Sequence, residues 1–137
     1  MINLHDIDEI ETGDVISYHK TDADRMVGIK AQHQVILQSP ERVQKLFRNI
    51  IDEFEAQTSV EARFVKAVDK FEPFVHLYNA EGKALLHKMK TTQIQSVANK
   101  YEFVEQFASI KLFFTSLNKV MVEEGYFYLH ESEPVIV

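Results

Sequence analysis

Apolar residues recur at intervals of three and four along most of this chain, the spacing of one helical face. Residues 2–11 carry Ile2, Leu4, Ile7 and Ile10, and Gly13 in Thr12-Gly13-Asp14 supplies a stop. Asp22 is placed to cap a second helix running to about Leu37. Ser39, with Pro40 at the favoured first position, opens a third. Its expected buried face is Val43, Leu46, Phe47, Ile50 and Phe54. Thr58-Ser59-Val60-Glu61 reads as a capping box. The helix it opens carries Phe64, Val68, Phe71, Val75 and Tyr78, and Pro73 should kink or divide it.

Asn79-Ala80-Glu81-Gly82 marks the strongest internal break. Beyond it, Phe103, Phe107, Ile110, Phe114, Leu117 and Met121 predict one long amphipathic helix ended by Gly125. The last residues, YFYLHESEPVIV, are rich in β-formers but contain Pro134, so they read as an extension, packed or exposed. Only four glycines and three prolines interrupt the chain, and no repeat or low-complexity stretch appears. The expectation is an all-α fold in a single domain, residues 1–137.

Composition narrows the class. At 137 residues and 45% apolar content, the chain can bury a core. No apolar run approaches the roughly 18 residues that span a bilayer. MINLHDID lacks the basic start and apolar stretch of a signal peptide, which favours the cytoplasm and no membrane partner. The absence of cysteine excludes disulfides and thiolate metal ligands. A formal charge of −6 argues against nucleic acid as a partner.

The candidate chemistry sits near the start. On a helix, His5 and Asp6 both neighbour Glu9, gathering one imidazole and two carboxylates. These donors suit Mn²⁺, Co²⁺, Fe²⁺ or Mg²⁺, and a bound metal would make a nucleophile of water near neutral pH. An acidic first turn also simply suits the helix dipole. Asp69 lies at the edge of an apolar stripe, where a bare carboxylate costs several kcal/mol. Lys66 or Arg63 is one possible partner for it, and a metal is the other.

LHDIDEIETGD at residues 4–14, followed at residues 54–73 by FEAQTSVEARFVKAVDKFEP, resembles the HD-domain phosphohydrolases. Within that superfamily it is similar to the branch of bacterial 5′-deoxynucleotidases and their eukaryotic relatives. His5, Asp6, Glu9, Gly13 and Asp14 match its HDxxExxxGD element, and Glu61 to Asp69 match its second element. The likeness covers residues 2 to about 79; residues 83–137 agree only in being helical. It implies an HD-like helical bundle and a divalent cofactor, with zinc joining the four metals above. It assigns His5, Asp6 and Asp69 as metal ligands and Glu9 as the catalytic, water-orienting residue. Asp14 would lie near the substrate, or else only close the turn after Gly13. Lys20 would stabilise phosphate charge, or remain a solvated loop lysine. The implied substrates are nucleoside 5′-monophosphates, with deoxynucleotides favoured.

The family's upstream histidine ligand belongs to two helices that precede this segment, and only four residues precede His5 here. The expectation is therefore an N-terminally truncated form, with His19, His33, His76 and His87 as conceivable substitutes. Such a chain would be catalytically impaired, and a non-catalytic helical interaction module is the competing reading. Another is hydrolysis of a different phosphorylated nucleotide. Family habit and the uncovered face of Ile2, Leu4, Ile7 and Ile10 both point to a homodimer.

Overall fold

The computed structural model describes residues 1, 3–13, 21–98 and 100–129. Its helices are α1 (Glu9–Thr12), α2 (Asp22–Gln38), α3 (Glu41–Ala56), α4 (Val60–Leu77), α5 (Ala80–Lys88), α6 (Gln93–Ala98), α7 (Tyr101–Val104) and α8 (Ala108–Glu123). No strand occurs among the described residues, so the fold is all-α as the pattern predicts. No described helix is long and apolar enough to cross a membrane. The chain forms two compact units, Met1–Ala62 and Arg63 onward.

In the first unit, α1 packs on α2 and α2 on α3. Ile7, Ile36 and Ile51 form the core, with Leu4, Val35 and Phe47 against it. Each buried isoleucine contributes about 1.5–3 kcal/mol. Ile7 is thus covered inside the unit and Leu4 is half-buried, whereas Ile10 is 72% exposed. Ile2 lies outside the described residues. The predicted helix over 2–11 is mostly a series of turns. Bonds from the Leu4, Ile7 and Glu9 N–H groups reach carbonyls three residues back, and regular α-helix is confined to four residues. Gly13 ends it at φ 70°, ψ 165°, a conformation open to glycine alone.

Thr21, not Asp22, caps α2. Its hydroxyl accepts the Asp24 N–H, while the Asp24 carboxylate accepts the Thr21 N–H at 2.8 Å. Pro40 sits just before α3, and the Ser39 hydroxyl donates back to the Val35 carbonyl at 3.2 Å. The buried face of α3 follows Phe47, Ile51 and Phe54, leaving Leu46 54% exposed. The helix is turned by about one residue from the predicted face.

In the second unit, α4 continues through Pro73 without dividing. Its packed face centres on Ala67, Phe71 and Phe74, so Phe64, Val75 and Tyr78 of the predicted stripe are more than two-fifths exposed. Phe74 meets Phe114 at 4.6 Å between ring centres, and Phe71 meets Phe113 at 4.9 Å. Leu86, Val104, Met121, Tyr126 and Phe127 complete the core. Asn79 opens α5 by accepting the Gly82 N–H at 2.8 Å, as the predicted break requires.

The long helix expected over 103–121 is interrupted. Phe107 is extended at φ −125°, ψ 111°, and separates α7 from α8 while its ring meets Phe64 edge-on at 5.3 Å. The stripe itself holds, with Phe114 and Met121 buried and Ile110 and Leu117 partly so. Beyond α8, Gly125 turns the chain at φ 67°. The Tyr128 N–H then donates to the Thr91 carbonyl at 3.0 Å, so the start of the tail is packed. Residues 130–137 lie outside the described residues.

Candidate metal centre

In the first unit, the turn before α1 places two donors side by side. His5 Nε2 lies 2.7 Å from Asp6 Oδ2, with the His5 side chain 13% exposed and that of Asp6 51% exposed. At this distance an imidazole N–H donates to the carboxylate, and a cation beside the pair could take the place of that proton.

The imidazole is held by packing. Phe54 of α3, buried at 4% exposure, meets the His5 ring edge-on with centres 5.5 Å apart. Glu9 follows Asp6 by three residues, and its N–H donates to the Asp6 carbonyl at 3.0 Å. That bond fixes the half-buried glutamate to the backbone of the His-Asp pair. Asp8 points instead toward α2, where a Cβ on Gly28 would come within 2.7 Å of its carboxylate. Gly28 thus lets the two helices approach.

In the second unit, α4 carries Asp69 with 21% of its side chain exposed. Lys70 Nζ lies 3.2 Å and Lys66 Nζ 3.4 Å from the same oxygen, Oδ2. The lysine partner anticipated for Asp69 is present, and Lys70 adds a second cation. Glu72 and His76 form an ion pair on the same helix, with their side chains 50% and 77% exposed. Their exposure and mutual pairing place them on the polar face of α4. His33 is exposed on α2, and His87 Nε2 contacts the Gly125 carbonyl at 2.9 Å, which commits it to the end of α8. Asp14, His19 and Lys20 lie outside the described residues.

Imidazole nitrogen with carboxylate oxygens is the donor set of a first-row divalent ion or Mg²⁺, and the half-buried His5 and Asp69 fit that use. Sequence reasoning placed Phe54 in the core without linking it to His5. The signal available was only its position in a helical stripe, because the contact joins residues far apart in sequence. A family model described as an HD domain matches residues 1–111 of the chain. No curated protein and no solved structure matches it.

Proposed function

Because this chain belongs to the HD-domain family, we propose that it is a metal-dependent phosphohydrolase of nucleoside 5′-monophosphates, with deoxynucleotides favoured. The HD-type sequence elements assign His5, Asp6 and Asp69 as the residues that would hold one divalent cation. The observation that carries this reading is the 2.7 Å pair of His5 and Asp6, braced by Phe54 and followed by Glu9. The substrate class is supported by the HDxxExxxGD element at His5 to Asp14.

A divalent cation held there would supply Lewis acidity and lower the pKa of bound water. Phe54 holds the His5 ring in one orientation, which reduces the ordering cost of binding. Glu9 accepts a hydrogen bond from the attacking water and receives its proton as the oxygen closes on phosphorus. The bond between phosphorus and the 5′ oxygen breaks, and the leaving oxygen takes the proton that Glu9 received, giving a nucleoside and phosphate. The resemblance assigns Asp14 to the substrate's vicinity and Lys20 to phosphate charge.

The two lysines on Asp69 favour a second reading, a helical interaction module that binds metal poorly. Elemental analysis with phosphate release from a deoxynucleotide panel separates the two. About one metal per chain with turnover supports the enzyme; absence of both supports the module. The chain acts as a homodimer in this account, supported by Leu112 and Phe113, which are 68% and 55% exposed on α8. Light scattering during size exclusion tests that assembly, and a monomer at micromolar concentration would contradict it.

A further inference from the structure

Lys66 and Lys70 are not ordinary surface lysines. They stand one turn apart on α4, keep only 26% and 25% of their side chains exposed, and converge on one carboxylate oxygen of Asp69. Lysine normally leaves its strongly hydrated ammonium group in water, so two held this far in mark a place where charge is used. We infer that Lys66 and Lys70 are phosphate-binding groups, held on Asp69 until a cation takes that carboxylate.

The inference rests on the metal reading above and adds the residues that receive the phosphate. A divalent ion on Asp69 shares the carboxylate charge with both ammonium groups and repels them. Their stems are flexible, and a phosphate dianion beside the ion offers them oxygens with more charge than the shared carboxylate retains. Because both Nζ atoms lie on one oxygen, they are close enough together to straddle a single phosphate. Metal therefore binds first, and phosphate binds to the loaded protein. The lysines also weaken the binding of metal itself, since they compete with it for Asp69.

Titration of the full chain with Mn²⁺, and then of the loaded protein with orthophosphate, tests this by calorimetry. Metal uptake by the wild type is measured first; none at all would overturn the metal reading and the inference with it. With metal bound, K66M/K70M should bind orthophosphate at least about tenfold more weakly, the loss of one or two charge-assisted bonds. The same variant should bind Mn²⁺ more tightly than the wild type. K66R/K70R, which keeps both charges, should retain phosphate binding and shows that loss in the methionine variant is not misfolding. Unchanged phosphate affinity in K66M/K70M at full metal occupancy would overturn the inference while leaving the metal reading intact.

Discussion

Asp6→Asn separates the two states of the site by stability alone. Half of the Asp6 side chain is exposed, and its partner His5 is 2.7 Å away. An exposed ion pair of this kind contributes roughly 0–1 kcal/mol, so the metal-free variant should unfold close to the wild type. With metal at about 100 times its dissociation constant, the wild type gains about 2.7 kcal/mol from binding. For a chain of this size that corresponds to a rise of roughly 5–10 °C in unfolding temperature. A neutral carboxamide in place of the carboxylate is a poor ligand for a divalent ion, so the variant should show little of that rise. Thermal unfolding followed by circular dichroism, in chelator and then in excess Mn²⁺, measures both numbers. Asp22→Asn is the control: Asp22 is 99% exposed and pairs only loosely with Arg25 at 3.7 Å, so its metal-induced shift should equal the wild type's. The reasoning is refuted if Asp6→Asn gains as much from Mn²⁺ as the wild type does.

Phe54→Leu keeps an apolar side chain but removes ring volume and the edge-on contact with His5, and should cost about 1–2.5 kcal/mol in denaturant unfolding. The same variant should weaken metal binding in a chelator competition, whereas an unchanged affinity would remove Phe54 from the site. Gly82→Ala should lower stability by about 1–3 kcal/mol despite alanine's helix preference, because its Cβ would clash with the Leu77 carbonyl oxygen. A rise in thermal unfolding temperature would show that α5 can shift away. Tyr78 donates to the Glu124 carboxylate at 3.1 Å, and that bond, with the nearby negative charge, pushes its pKa above the usual 10.0. A raised pKa means the stabilisation is full below 10 and lost as pH rises through the folded value. Any advantage of wild type over Tyr78→Phe should therefore disappear in strong alkali, and a growing advantage there would contradict the assignment.

The sequence made the fold class legible because long stripes at intervals of four and three admit few other structures. Which of two neighbouring stripes is buried was harder to read. On α4, Phe64-Val68-Phe71-Val75 and Ala67-Phe71-Phe74 both follow helical spacing, and the second packs. Ala67 carries little hydrophobic weight in a pattern, yet its small side chain is fully buried. The break at Phe107 had no glycine or proline to announce it; its ring contacts Phe64, more than 40 positions earlier. For the proposed metal ligands and base, the motif nominates His5, Asp6, Asp69 and Glu9 by residue type and order. What it could not supply was the surroundings: Phe54 against the imidazole and Lys70 against Asp69 depend on side-chain direction in three dimensions. The i,i+4 spacing of Lys66 and Lys70 was visible, but their convergence on one oxygen was not.

The central claim is that His5, Asp6 and Asp69 hold a metal while Glu9 works on the water. Its most direct test is Glu9→Gln, with metal content and phosphate release from deoxynucleoside 5′-monophosphates measured on one preparation. Glutamine keeps the size of the side chain and the backbone bond from residue 9 to the Asp6 carbonyl. The account predicts metal content equal to the wild type's, with turnover lower by about 10²–10⁴-fold, the usual worth of a general base. Loss of metal to the extent expected for Asp6→Asn, or turnover equal to the wild type's with metal retained, would contradict it.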